Sequence, residues 1–382
     1  MNSVRRLLLA AKESGRSVFE LLPEILRLRM SVGRIGLSEY FDFQLYLNDL
    51  SPLEKTRFGG WRLQSVLEEI LVDDYSRFLS LDKVTMYAVL RGLGLPTPEP
   101  RAAFRCLRPK SIPQLDSADA LARFLMAPNA LPVYIKPAFG SYGRGNTLIR
   151  EYADGILKLG DGSSMEIAKF CASLDDGRGL GWLLQEPLTA HPRIAEICGD
   201  KISGLRLHTF LTPSGPVVAK AIWKINVGTR DSDNFHHGTS GNLLAAVRLE
   251  DGVIERVVAG VGAEQRLNPP HPRSGKQLVG FQLPHWEAIK SLVCDGQLAF
   301  PGFICPGWDI AICTDGPKIL EVNSFGDIDL YQQAHRRGFI DDEFLDLLHS
   351  RQFEPLLFSN AGRWRRSNPN NRLGLRRRHW RW

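Results

Sequence analysis

The first quarter of the chain repeats apolar residues at the spacing of an amphipathic helix. In SVFELLPEILRLRM (17–30) and WRLQSVLEEILVDDYSRFL (61–79), apolar side chains recur every three or four positions, with polar residues between them. No strand–helix–strand pattern is visible in this part of the sequence. We therefore predict a mostly helical N-terminal region, residues 1–97.

Beyond this region, short apolar runs of strand length alternate with turn residues. Helical spacing returns in SADALARFLMA (117–127), where Ser117 or Asp119 would cap the first turn, and near residues 284–299. Turn residues between pairs of apolar runs predict β-hairpins at Pro213-Ser214-Gly215, Asp251-Gly252 and Asp315-Gly316. This mixture of patterns predicts an α+β protein.

Length and composition are those of a globular protein. A chain of 382 residues is long enough for two or three domains, and 43% hydrophobic with 24% charged residues is ordinary for a folded protein. The six cysteines form no CxxC pair, which favours reduced thiols over a zinc site or a disulfide framework. No apolar run reaches the length of a membrane span. We therefore expect a cytoplasmic protein.

The net charge of +6 comes from the C-terminal segment. Residues 361–382 carry eight arginines and no acidic residue, so the rest of the chain has 40 basic against 42 acidic residues. We predict that residues 351–382 form a disordered basic tail. Its arginines and tryptophans would alternatively suit anionic lipid headgroups, which would make the protein membrane-peripheral. No motif favours specific recognition of nucleic acid.

The run ILEVNSF (319–325) places a carboxylate and an amide on one face of a strand. Glu321 and Asn323 are two residues apart, and alternate side chains of a strand share a face. Asp309 lies on the preceding apolar run, across the predicted hairpin turn. Mg²⁺ prefers oxygen ligands of this kind. We therefore predict that Asp309, Glu321 and Asn323 converge to bind Mg²⁺, or Mn²⁺ in its place.

The segment VYIKPAFGSYGRGNTLI (133–149) joins a lysine to a glycine-rich turn. Glycines let backbone N–H groups approach phosphate oxygens closely, and Lys136 would add an ammonium beside them. The segment lacks the GK[ST] of a P-loop, and a strand rather than a helix is predicted after the turn. The candidate phosphate-binding residues are Lys136, Gly140, Ser141, Gly143, Arg144 and Gly145.

Taken together and in chain order, these segments resemble the ATP-grasp superfamily. The same order holds for SLDKVTMYAVLRGLGLPTPEP, IKPAFGSYGRGN, WLLQEPL, SGLRLHTFLTPSGPVVAKAIWKI and DIAICTDGPKILEVN. In the same order, these five segments look like the start of the ATP-binding unit, the phosphate loop, the hinge that holds adenine, the arginine strand of the glutamate-ligase branch, and the strands that bind the metal. QEPLTAHP, DNFHHGTSG and HPRSGKQLVGFQLPHWEAI are similar to the sugar-transfer-associated subgroup, which is alpha-L-glutamate ligase-like.

The resemblance implies an ATP-grasp fold of class α+β, in which two α+β subdomains grip ATP. Residues 98–184 would form the small lid subdomain, and residues 185–350 the large subdomain with the metal site. Many ATP-grasp enzymes begin with a Rossmann-like domain, and the helical pattern of residues 1–97 departs from this.

The resemblance also implies roles for individual residues. Those that would bind the nucleotide at the hinge are Gln185, Glu186 and Leu188. Those that would act in catalysis are Arg206, Lys224, Asn234 and His237. The planar guanidinium of Arg206 suits bidentate binding of a carboxylate or phosphoryl group, and a histidine near the amine would accept its proton.

The function implied is that of an ATP-dependent ligase that joins a carboxylate to an amine and forms ADP. An acyl phosphate would be the intermediate, and the small-molecule substrates, sugar-linked or free, would belong to polysaccharide or glycoconjugate modification. Two alternatives remain. One is an ATP-dependent phosphotransferase of the same fold, and the other is a non-catalytic nucleotide-binding factor of a glycan-synthesis complex.

Overall fold

A computed structural model describes residues 3–106, 112–140, 145–175, 181–228, 233–353 and 357. The helices are α1 (Ser3–Ser14), α2 (Val18–Met30), α3 (Leu37–Asp42), α4 (Pro52–Thr56), α5 (Trp61–Leu71), α6 (Asp74–Leu81), α7 (Lys83–Gly92), α8 (Ala118–Met126), α9 (Ile167–Leu174), α10 (Pro192–Cys198), α11 (Trp286–Leu298), α12 (Ile328–His335) and α13 (Asp342–Ser350). The strands are β1 (Pro100–Phe104), β2 (Gln114–Leu115), β3 (Val133–Pro137), β4 (Thr147–Ala153), β5 (Ile156–Leu159), β6 (Ser164–Glu166), β7 (Trp182–Gln185), β8 (Leu205–Thr212), β9 (Gly215–Ile225), β10 (Leu243–Val247), β11 (Ile254–Ala259), β12 (Arg266–Leu267), β13 (Gly307–Cys313) and β14 (Gly316–Asn323).

The N-terminal region is helical from α1 to α7, which confirms the prediction from apolar spacing. Local capping sets where these helices begin. Ser17 and Glu20 form a reciprocal capping box at the start of α2. The Asp82 carboxylate accepts hydrogen bonds from the N–H groups of Val84 and Thr85, so α7 begins at Lys83.

The first sheet has the strand order β2-β1-β7-β3-β4-β5-β6. β3 runs antiparallel to both β7 and β4, so a strand follows the glycine-rich turn, as the sequence predicts. Val133 and Ile135 are fully buried on one side of β3, in a core that α8 and α9 share. Ser117 caps α8 by accepting a hydrogen bond from the Ala120 N–H at 3.1 Å.

The second sheet has the strand order β12-β11-β10-β9-β8-β13-β14, and its neighbouring strands are antiparallel. The three predicted hairpins join β8 to β9, β10 to β11 and β13 to β14. β13 lies between β8 and β14, so Asp309 is opposite Arg206 on one side and Glu321 on the other. This register brings three charged residues from distant parts of the sequence side by side.

The helical region joins the second sheet through one continuous apolar core. Leu67 of α5 and Met86 of α7 are fully buried with residues of β8, β9 and β13. The Tyr87 hydroxyl donates a hydrogen bond to the Leu320 carbonyl of β14 at 2.9 Å. α5 to α7 therefore form one wall beside β13 and β14, while α1 to α3 form a separate apolar cluster.

The strands of the two sheets fall within residues 100–185 and 205–323. The predicted boundaries after residues 97 and 184 remain predictions. Of the predicted tail, only residues 351–353 and 357 are among the described residues. No helix in the described part of the chain is long and apolar enough to cross a bilayer.

Candidate active site

A cavity of about 390 Å³ opens between the two sheets and α6–α7. Its volume is in the range of sites that hold small-molecule ligands. The sequence-predicted residues that line it are Lys136, Gly140, Gln185, Glu186, Leu188, Arg206, Lys224, Asn234, Asp309, Glu321 and Asn323. Residues predicted from separate segments of the chain therefore line the same cavity.

Two other predicted residues, Gly145 and His237, do not line this cavity. Gly145 lies against the Trp182 ring, which a Cβ at that position would meet at 3.0 Å. His237 is exposed, and its Nδ1 is 3.4 Å from the Asp329 carboxylate. Ser141, Gly143 and Arg144 lie outside the described residues.

The predicted metal ligands come together on β13 and β14. Asp309 is only 7% exposed, and its Oδ2 is 3.4 Å from the Asn323 Nδ2. Glu321 is opposite Asp309 in the ladder, and both line the cavity. Two carboxylates and an amide therefore face the same space from adjacent strands.

Asp309 is held by two cations from the neighbouring strands. The Arg206 guanidinium binds it bidentately, with Nε 2.6 Å from Oδ1 and Nη2 2.8 Å from Oδ2. The Lys224 Nζ lies 3.2 Å from Oδ1 and 3.4 Å from the Asp233 carboxylate. The two cations thus make three contacts with a carboxylate that offers four lone-pair positions.

The ionisation of this cluster follows from burial and charge together. Burial raises the pKa of Asp309, but the positive charges of Arg206 and Lys224 outweigh burial and hold the pKa well below its usual range. Burial lowers the pKa of Lys224, but the Asp233 and Asp309 carboxylates outweigh it and raise the pKa above its ordinary value. The cluster is therefore fully charged near neutral pH.

These residues fit a hard divalent cation such as Mg²⁺. In the part of the chain that the structure describes, no group of three or more His, Cys, Asp or Glu side chains is arranged as a metal site. A cation held here would therefore need the Asn323 amide oxygen in addition to the carboxylates of Asp309 and Glu321. The Asn323 nitrogen is turned towards Asp309 and the Gly307 carbonyl, and an all-oxygen set of this kind suits Mg²⁺.

Lys136 occupies the opposite wall and is nearly fully buried. Its Nζ donates a hydrogen bond to the Tyr87 hydroxyl at 2.7 Å, and that hydroxyl in turn contacts the backbone of β14. Burial lowers the pKa of Lys136 to about 7, the Lys83 ammonium acts in the same direction, and Glu321 opposes both. A polyanion bound here would supply the negative charge that Lys136 lacks.

The hinge at the end of β7 carries a buried acceptor. Gln185 is 3% exposed, and its Oε1 has no hydrogen-bond partner within the described structure. Such an orphaned oxygen in a cavity wall suits a ligand donor, for example an exocyclic amine. The Glu186 carboxylate instead accepts hydrogen bonds from the Glu99 N–H and the Lys318 Nζ, both at 3.1 Å.

The model of the sugar-transfer associated ATP-grasp family matches residues 71–343. This chain belongs to that family. It therefore has the ATP-grasp fold, as the resemblance in its sequence implied. Membership supports the predicted use of ATP and a divalent cation, while the residues that bind them remain a prediction.

Solved structures similar to this family member have low sequence identity to it. The ATP-grasp ligase PsnB complexed with a minimal precursor has 14% identity and a TM-score of 0.36 over 71% of this chain, a match that spans 61% of PsnB itself. The D-alanine–D-alanine ligase of Bacillus anthracis has 12% identity and a TM-score of 0.38, over 80% of this chain and 76% of that one. The N5-carboxyaminoimidazole synthase of Aspergillus clavatus has 12% identity and a TM-score of 0.37, over 74% and 58%. No curated protein matches the sequence.

Sequence reasoning missed several residues of this ATP-grasp cavity. Lys83 lines it, donates a hydrogen bond to the Gly140 carbonyl and lies 3.8 Å from the Glu321 carboxylate. Asp233 also lines it and accepts a hydrogen bond from the Gly204 N–H at 2.7 Å. The sequence held one signal for Lys83, which directly follows the aspartate that caps α7. The start of a helix fixes which of its side chains share a face.

We expect binding of a Mg²⁺–nucleotide complex at pH 8 to take up about one proton, because a nearby polyphosphate restores the positive charge of Lys136. Calorimetry in buffers of different ionisation enthalpy measures this uptake. The matched control is Lys136→Arg, whose guanidinium is always charged and should bind without uptake. Identical binding heats for the wild type in all buffers would contradict the role of Lys136.

Proposed function

We propose that this protein is an ATP-dependent carboxylate–amine ligase that activates its carboxylate as an acyl phosphate. The observation that carries the proposal is the arrangement of one cavity, with Lys136 on the wall from the first sheet and Asp309, Glu321 and Asn323 on the wall from the second. Membership in an ATP-grasp family supports it.

In this proposal the first sheet binds the nucleotide. The Lys136 Nζ contacts phosphate oxygens, and the backbone around Gly140 lies at the same end of the cavity, where Lys83 holds its carbonyl. The unpaired Gln185 Oε1 accepts a hydrogen bond from the adenine amine. The nucleotide would thus lie along β3 and the hinge, with its phosphates directed towards β14.

The second sheet provides the metal and charge-balancing groups. Asp309, Glu321 and Asn323 would hold Mg²⁺, which when bound neutralises charge on the β- and γ-phosphate oxygens. Lys224 and Arg206 lie beside this position and would stabilise negative charge on the transferred phosphoryl group. Their buried, paired geometry holds them in place before the substrates bind.

Arg206 can bind a substrate only with the N–H groups that Asp309 does not engage. Asp309 engages its Nε–H and one N–H of Nη2, so the two N–H groups of Nη1 and the second one of Nη2 remain for the acceptor carboxylate. The acceptor carboxylate would attack the γ-phosphorus, and an amine would then displace phosphate from the acyl phosphate. The cavity walls limit water, which would otherwise hydrolyse that intermediate.

The amine would approach from the side of Asn234, which lines the cavity. His237 is exposed outside the lining of the cavity, with the Asp329 carboxylate 3.4 Å from its Nδ1, and we propose that it accepts the proton of the amine as the amine enters. Burial raises the pKa of Asp329 to about 6, the Asp327 charge acts in the same direction, and His237 opposes both. Near neutral pH a carboxylate is therefore available to orient the imidazole.

The biological setting we propose is polysaccharide or glycoconjugate modification, with sugar-linked or free small molecules as the carboxylate and the amine. The description of the family as sugar-transfer associated supports this setting. The basic segment 361–382 would bring the enzyme to an anionic membrane surface, because its eight arginines have no acidic partner in that segment.

Replacement of Lys136 or Glu321 by alanine should lower ADP release by about 100-fold or more, because the first removes a positive charge beside the phosphates and the second removes a carboxylate that would hold the metal ion. ADP release is measured with a mixture of carboxylates and amino sugars. The controls Lys158→Ala and Glu151→Ala remove the partners of an exposed ion pair on β4 and β5 and should keep full activity. Circular dichroism checks the fold, and full activity in either site variant would refute the assignment.

Use of a carboxylate labelled with ¹⁸O should place one labelled oxygen in the released phosphate. The acyl phosphate keeps its bridging oxygen from the carboxylate, and attack by the amine releases that oxygen with the phosphate. Mass spectrometry of the phosphate and of the amide product measures this transfer. A stable phosphorylated acceptor would instead support a phosphotransferase, and unlabelled phosphate would indicate hydrolysis of ATP by water.

Deletion of residues 361–382 should weaken binding to vesicles that contain anionic lipid, because it removes eight arginines, and should leave ADP release unchanged, because no residue of this segment is assigned to the cavity. Sedimentation with vesicles of phosphatidylcholine and phosphatidylglycerol measures the binding. Vesicle binding by the shortened protein at the level of the full chain would rule out a membrane role for this segment.

A further inference from the structure

Two helices at the N-terminus expose an unusual number of large apolar side chains. Phe19 is 85% exposed and Met30 is 77% exposed, although both belong to a helix packed on the protein. The exposed residues on α1, on α2 and at the start of α3 are Val4, Leu8, Phe19, Leu22, Leu26, Met30 and Leu37, and we call them the apolar helix face.

The apolar helix face is one surface and not a scatter of single residues. Phe19, Leu22, Leu26 and Met30 follow one another at intervals of three or four, which places them along one side of α2. Leu22 also lines a shared groove with Val4 of α1. Exposed apolar patches of this kind mark interaction surfaces more often than isolated apolar residues do.

α2 has a second apolar side that the fold itself buries. Leu21 and Leu28 are fully buried in the cluster of α1 to α3, so folding of this region is satisfied without the apolar helix face. None of the residues of the apolar helix face lines the catalytic cavity. Their apolar character is therefore explained neither by the core nor by the proposed chemistry.

The charge around the apolar helix face is positive. Residues 1–37 contain seven arginines and lysines against three glutamates. The glutamates are engaged within the protein: Glu13 with the Tyr46 hydroxyl, Glu20 with the Ser17 cap, and Glu24 with Arg16 and Lys55. Lys12, Arg27 and Arg29 are exposed on the same two helices.

Leu357 contacts Arg34, and the sequence that follows Leu357 is basic. The Leu357 side chain is buried, and its carbonyl accepts a hydrogen bond from Arg34, four residues after the end of α2. The sequence beyond it, residues 361–382, carries eight arginines and no acid. Like charges make this segment a poor cover for the apolar helix face, and they disfavour a second copy of the chain there for the same reason.

We propose that the apolar helix face docks onto a lipid bilayer that contains anionic headgroups. Exposed leucine, phenylalanine and methionine side chains enter the boundary of the acyl chains, while Lys12, Arg27 and Arg29 contact lipid phosphates. Two contacts join the segment after α3 to the rest of the protein. The Arg336 guanidinium binds Asp49, and the Gln44 side chain donates a hydrogen bond to the Gly262 carbonyl, between β11 and β12. Docking would therefore also fix the orientation of the enzyme relative to the membrane, and this inference does not depend on the reaction catalysed.

The test uses the full-length chain in flotation with vesicles of phosphatidylcholine alone or mixed with phosphatidylglycerol. The variant Phe19→Gln/Leu22→Gln/Leu26→Gln removes apolar area from the face, and Arg27→Glu/Arg29→Glu reverses charge beside it. We expect each to weaken binding to anionic vesicles by roughly tenfold or more. The matched control Val217→Gln/Leu267→Gln/Leu298→Gln changes exposed apolar residues of the second sheet and α11, and it should bind like the wild type.

Four outcomes would overturn the proposal. Equal vesicle binding by the wild type and both face variants is the first, and an equal loss in the control variant is the second. Absence of wild-type binding to any vesicle would favour a protein partner. Conversion of a wild-type dimer to monomers by the triple variant in light scattering, with vesicle binding unchanged, would favour a second copy. Thermal unfolding of each variant checks the fold, because exposed positions should tolerate glutamine.

Discussion

The buried carboxylate of Asp309 is the constraint on which the rest of the candidate site depends. It lies on the middle strand of three, so the hydrogen-bonding register brings Arg206 to one side of it and Glu321 to the other. A carboxylate buried without a partner would be very costly, and here two cations offset that cost. The same pairs that keep Asp309 ionised also hold Arg206 and Lys224 in fixed positions at the cavity wall.

Electrostatics make the cavity suited to a polyanion with a divalent cation. Lys136 is buried, and burial together with the nearby Lys83 ammonium lowers its pKa to about 7 against the opposing charge of Glu321. On the other wall the charge of Asp309 is already balanced by Arg206 and Lys224. Glu321 has only the Lys83 ammonium near it, at 3.8 Å. A metal–triphosphate complex would satisfy both walls at once, since its phosphates would pair with Lys136 and its metal with Asp309, Glu321 and Asn323.

Much of this arrangement follows from the sequence through local rules. Strand alternation relates Glu321 to Asn323, and the turn at Asp315-Gly316 relates both to Asp309. The pairing of Arg206 with Asp309 could not be predicted in this way, because the two residues are 103 positions apart and meet only when β8 lies beside β13. Lys83 reaches the cavity through tertiary packing of α7, for which apolar spacing gives no signal. Gly145, which was predicted to bind phosphate with the rest of the glycine-rich turn, packs on Trp182 and is not among the residues that line the cavity.

The most direct test of this account is a crystal structure with Mn²⁺ and a non-hydrolysable ATP analogue. The account predicts an anomalous manganese peak coordinated by Asp309, Glu321 and Asn323, with the triphosphate between that ion and the Lys136 Nζ. Manganese bound elsewhere, or a triphosphate outside the cavity between the two sheets, would contradict it.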